Sequence, residues 1–181
     1  MILKCNEVSP LRYDDNKPKY IRYGIYALAI GLSFLLQSSS VAFPEIFGAR
    51  TFLLLPLSVC IAMHEREIPA AIFGAFSGLL WDSVSGIEGF NAVVIMILSA
   101  VCSILISHLM QNNIVTAFVL SAGAVFAYEL MYIIVNFGFG NAGNPIKQVF
   151  VFYLPSFIYT MVFVPAYYYI VSHIFSRYKT E

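Results

Sequence analysis

Apolar residues along this chain fall in long unbroken blocks, not in the alternating pattern of a half-buried strand or the single-face pattern of a soluble helix. The blocks Ile21–Ser40, Ile114–Phe137 and Val149–Phe175 each reach the roughly 20 residues that a helix needs to cross a bilayer core. Phe90–Ser107 is slightly shorter but carries no charge, and makes a fourth spanning helix. Two further blocks, Thr51–Met63 and Ile68–Trp81, are well under that length and are separated by His64-Glu65-Arg66-Glu67, a charged cluster that forces a turn. They read as two short spanning helices, with a re-entrant pair buried by its neighbours as the other arrangement open to them. The pattern predicts an all-α polytopic membrane protein with about six transmembrane helices in one bundle, two of them short. Residues 1–19 are expected to form a polar cytoplasmic tail, and residues 20–181 a single transmembrane domain.

Composition agrees with that pattern. Hydrophobic residues make up 60% of the 181 and charged residues 11%, against about 25% charged in ordinary globular chains. Too few polar side chains remain to wet a soluble surface, so the rest of the surface must face hydrocarbon. A formal net charge of zero gives no sign of a nucleic-acid partner. Six crossings would put Lys4, Arg12, Lys17, Lys19, Arg22, Arg66, Arg177 and Lys179 on one face and leave only Arg50 and Lys147 on the other. By the positive-inside rule the richer face, with both termini, is cytoplasmic. Tyr20, Tyr23 and Tyr26 at the start of the first helix, and Tyr167, Tyr168, Tyr169 and Tyr178 near the end of the last, suit the headgroup zone. Pro155 and Pro165 are expected to bend or locally unwind the last helix. The glycine- and asparagine-rich stretch Gly138–Pro145 reads as a flexible external loop.

Few residues point to chemistry. Cys5, Cys60 and Cys102 are widely spaced and spell no disulfide framework or metal cluster. His64, His108 and His173 sit at three separate helix ends without ligand spacing. There is no P-loop, dinucleotide fingerprint or nucleophile elbow, so no catalytic, metal or cofactor-binding residue is assigned, and an enzyme is not expected. Gly74 and Gly78 form a small-x-x-x-small pattern that brings a helix backbone close to a neighbour, within the chain or in a partner. Asp82 follows, with Gly86 and Gly89 after it, and its carboxylate either caps the next helix or bonds loop amides. Glu129 is the one charge well inside an expected spanning helix, where an acid is costly unless protonated, paired or facing a wet interior. At helical spacing it shares a face with Tyr132 and Asn136, a polar stripe that must face the bundle or a partner.

The segment Phe76-Ser77-Gly78-Leu79-Leu80-Trp81-Asp82, followed by Ser85-Gly86 and Gly89-Phe90-Asn91-Ala92, resembles the rod shape-determining protein MreD family. Gly78, Leu79, Leu80, Asp82, Gly86 and Gly89 fall on that family's pattern, while Phe90 stands where an aliphatic residue is usual. The match covers about Thr51–Ser107; the outer helices agree only in number and hydrophobicity. The resemblance implies a small bacterial inner-membrane protein without catalytic activity or cofactor. It also implies partners in the wall-elongation machinery: MreC, the filament protein MreB, the glycosyltransferase RodA and a penicillin-binding protein. The MreD fold in turn resembles the substrate-binding component of energy-coupling-factor vitamin transporters. That leaves a second reading open, in which Asp82, Glu88, Glu129 and Asn136 line a small-molecule pocket.

Overall fold

The computed structural model of the chain describes residues 17–39, 52–85, 89–108, 111–138 and 154–178. Six helices account for nearly all of them, with no strand among the described residues. They are α1 Lys17–Ser38, α2 Leu54–Ala62, α3 Glu67–Ser85, α4 Phe90–His108, α5 Ile114–Gly138 and α6 Leu154–Arg177. Five are long and apolar enough to cross a membrane, α2 being the exception. The chain is a multi-pass membrane protein built as a helical bundle.

Helices α4 and α5 start where the apolar blocks start and run one residue past them. Helix α1 begins four residues before the expected Ile21, because its first turn carries Lys17 and Lys19, which apolar patterning does not register. Of the two blocks read as short, only one is. Helix α3 has 19 residues, since Asp82, Ser83 and Ser85 continue the helix and do not open a loop. Helix α2 has contracted to 9 residues, about 14 Å at 1.5 Å per residue, less than half of a bilayer core of about 30 Å. In α6, Pro155 occupies the first turn, where no backbone N–H is needed. Pro165 is the proline inside that helix and withholds the N–H that would otherwise reach Met161. Residues 1–16, the connection after Gly138, residues 149–153, Cys5, Arg50, Lys147 and Lys179 lie outside the described residues.

A helix this short can sit inside the bundle because other elements supply what its ends lack. All nine residues of α2 are buried, and it packs against each of the other five helices. At its start, the Gln37 side-chain oxygen of α1 accepts the N–H of Leu53 at 2.8 Å and of Leu54 at 3.2 Å. The Thr160 hydroxyl of α6 accepts the N–H of Phe52 at 3.2 Å. Past its end, Ser103 of α4 donates to the Glu65 carbonyl at 2.8 Å, and the Asn112 amide donates to the Met63 carbonyl at 3.2 Å. Free helix-end groups that water would satisfy in a soluble protein are thus met by side chains.

The same bonds fix chain direction. Gln37 near the end of α1 meets the start of α2, and Arg22 near the start of α1 meets Glu65, just past the end of α2. Asp82 near the end of α3 meets the start of α4, and Thr160 in the first half of α6 meets Phe52. Successive helices therefore alternate in direction. Arg22 also donates to the Tyr178 carbonyl at 3.4 Å, so α1 begins and α6 finishes at one end of the bundle, called here the terminal end. Polarity is arranged as lipid requires: Ser58, Ser77, Asn91, Ser103 and Thr160 are buried, while Leu28 and Ile68 are 71% and 74% exposed.

Candidate functional site

The tightest place in the bundle is the corner where α3 turns into α4, at the end opposite the terminal end. Gly78 lies against the backbone of Asn91 and Ala92, and Gly74 one turn earlier lies against Ile95 and Ser99. The small-residue ridge is therefore in use within the chain, between α3 and α4. Asp82 reaches across from the last turn of α3: one carboxylate oxygen accepts the Asn91 N–H at 3.0 Å and the other the Ala92 N–H at 2.9 Å. It caps α4 from within α3, which is the first of the two uses that the sequence leaves open, the other being bonds to loop amides. Gly89, just before α4, has φ +80°, a backbone conformation that a side chain would strain. Gly86 and Glu88 lie outside the described residues.

Asn91 joins three helices. Its amide donates to the Ser85 hydroxyl of α3 at 2.8 Å, and its side-chain oxygen accepts the Tyr128 hydroxyl of α5 at 2.6 Å. Aromatic rings line the same end: Phe52 stacks on Trp81 at 5.1 Å and meets Tyr128 edge-on at 5.4 Å. Tyr132 lies 6.4 Å from both Tyr128 and Phe90. Replacing Asp82 by alanine removes both acceptors at once, and we expect a loss of about 1–3 kcal/mol, the usual cost of leaving part-buried donors unmet. Thermal denaturation in detergent should rank wild type above Asp82→Asn and Asp82→Asn above Asp82→Ala. Equal melting of all three would mean that water replaces the carboxylate without loss.

Glu129 is 8% exposed, and its Oε1 has no hydrogen-bond partner among the described residues. Ser121, two turns earlier on the same side of α5, has a buried hydroxyl in the same condition. Tyr132 is half-buried among the corner aromatics, and the side chain of Asn136 lies outside the described residues. The polar stripe thus begins inside the bundle. Because Glu129 makes no ion pair among the described residues, Glu129→Gln should accumulate and melt like wild type. Glu129→Lys, which places a cation at a buried site in a spanning helix, should reduce folded protein sharply; insertion scales put such a charge at roughly 2.5–3.5 kcal/mol. Loss of folded protein in the Gln variant would show that the carboxylate itself is required.

A second polar centre, at the terminal end, joins residues that the sequence reading had kept apart. Arg22 was counted there only as a positive charge on one face, and Glu65 as part of a turn. In the structure Arg22 Nε lies 2.7 Å from Glu65 Oε1, and its Nη2 donates to Oε2 at 3.1 Å, with both side chains buried. The guanidinium carbon sits 4.9 Å over the Phe175 ring. Burial pushes the Glu65 carboxyl above its usual range, and the adjacent guanidinium opposes that shift. His64 beside it lies tilted against the rings of Tyr168 and Phe175, with Nδ1 3.0 Å from the Cys60 carbonyl, and burial holds it below its ordinary pKa. Arg22 is the second residue of the apolar block Ile21–Ser40, and a charge within that block was the available signal that it needs a partner. Among the described residues, no three of His, Cys, Asp and Glu come together as metal ligands.

No known protein family, characterised protein or solved structure matches this chain.

Proposed function

We propose that this protein is a non-catalytic component of the bacterial inner membrane, resembling MreD, that helps to maintain cell shape by holding elongation proteins together. Its partners in this reading are an MreC-like protein, MreB, RodA and a penicillin-binding protein. The observation that carries the reading is the corner. Residues on which the resemblance rests meet there: Gly78 lies against Asn91 and Ala92, and Asp82 bonds the amides of the same two residues. Gly78, Asp82, Asn91 and Ala92 together hold an α3–α4 hairpin, which suits a scaffold without catalytic groups. In this reading the terminal end is cytoplasmic, as the excess of Lys and Arg on that side favours.

The aromatic rings of Phe52, Trp81, Tyr128 and Tyr132 favour the second reading, a vitamin-binding transporter component, since such rings are common in ligand sites. Against it, the polar groups beside those rings, Asp82 and Asn91, already bond within the chain. Depletion in a rod-shaped bacterium that carries the protein separates the two. The scaffold reading expects rounded, widened cells that recover when the gene is restored. Normal cell width together with a new requirement for an external vitamin would establish the transporter component instead.

A further inference from the structure

Resting on the scaffold reading, we propose that the outer groove of α3 seats one transmembrane helix of another protein, with a basic residue of that helix at the terminal end. The groove is separate from the ridge that holds α4. Gly74 and Gly78 are buried against α4, whereas Ala71 and Ala75 form a second small-residue pair on the outward side of the same helix. Together with Met96 of α4 they leave open a groove of about 540 Å³, along which Ile68, Ile72 and Leu79 stand 74%, 61% and 57% exposed. It follows α3 from its first turn to Leu79, about 18 Å at 1.5 Å per residue, or three helical turns. Small side chains over that length let a second helix backbone approach closely, which is how helices associate where no hydrophobic gradient drives them.

The charge at its mouth separates a helix from a lipid. Glu67, in the first turn of α3, lines the groove and is exposed. Among the described residues it is the one exposed carboxylate at the terminal end, where Lys19, Arg66 and Arg177 are also exposed. An anionic phospholipid headgroup above the groove would meet that carboxylate at close range. Spanning helices carry Lys or Arg at their cytoplasmic flank, so a helix lying in the groove in that orientation brings the opposite charge to Glu67.

The test uses the full chain co-expressed in membranes with the intact MreC-like protein of the same genome, whose single spanning helix is scanned with cysteines. Ala75→Cys is compared with Val119→Cys, which is exposed on α5, after each variant is shown to elute as a monodisperse species. Disulfide capture from Ala75→Cys but not from Val119→Cys is the expected result. Glu67→Lys should weaken that capture, and exchange of the partner's flanking cation for glutamate should restore it. Capture from Val119→Cys alone would overturn the groove while leaving the scaffold reading intact. Failure to co-purify, with no capture at either position, would remove both. A disulfide-linked dimer through Ala75→Cys would make a second copy the occupant. Co-purifying phospholipid displaced by Ala75→Leu, without capture, would assign the groove to an acyl chain.

Discussion

Glu65→Ala is expected to lower the stability of the purified protein by roughly 3–5 kcal/mol, the usual cost of stranding one charge of a buried ion pair. Arg22 would keep its charge in a site where its side chain is 7% exposed, with no carboxylate at 2.7 Å to meet it. The loss should exceed that of any surface pair, which is typically worth about 0–1 kcal/mol, because water cannot take over the missing contacts. Arg22→Ala should be at least as damaging: it strands Glu65 and also empties the space over the Phe175 ring and the bond to the Tyr178 carbonyl. The informative variant is the double one. Arg22→Leu with Glu65→Leu removes both charges together, so its melting temperature should lie well above either alanine variant. Additive losses in the double variant would show that the two residues act separately, against the paired geometry.

Gly78→Ala is the second large effect. A Cβ on Gly78 would stand 2.5 Å from the Asn91 carbonyl oxygen and against the Ala92 backbone. Neither neighbour is a side chain that can rotate away, so α3 and α4 must part, and the Asp82 bonds to Asn91 and Ala92 stretch with them. Overpacking of this kind costs about 1–3 kcal/mol or more, and backbone neighbours place this site at the upper end. The same substitution elsewhere should have the opposite sign. Gly24, Gly31 and Gly123 have nothing within 4 Å of where a Cβ would stand, and alanine in an open helix interior gains up to about 1 kcal/mol over glycine. Parallel melting curves of Gly78→Ala and Gly24→Ala check this directly; similar shifts would contradict the close α3–α4 contact.

Helices α4 and α5 were legible in the sequence because lipid imposes a length, and an uncharged block of that length has few other uses. Helix α3 was misjudged because Asp82 and Ser83 look like the end of a helix when only hydropathy is read. The carboxylate of Asp82 is tolerable there because it faces two free amides of α4, a fact of tertiary position. Helix α2 was the hardest: nothing in Leu54–Ala62 says that Gln37 and Thr160, far away in sequence, cap its start. The corner was partly readable, since a Gly-x-x-x-Asp spacing on a helix puts both residues toward the same neighbour. The Arg22–Glu65 pair was not, because charge counting assigns cations to a side of the membrane without asking what each one touches.

The dependence of α2 on its neighbours bears on how the protein is made. Nine residues are too few to be recognised as a membrane span when they leave the ribosome, and the cap from Thr160 on Phe52 belongs to α6, 108 residues further along the chain. Until α6 arrives, one of the amides ahead of α2 has no acceptor, and its hydrophobic sides lack the packing surface of that helix. The segment must therefore be drawn in by the assembling bundle after its neighbours have been inserted. A chain truncated before α6 should leave the 52–62 region open to protease, and synthesis of α6 becomes the step that completes the centre of the molecule.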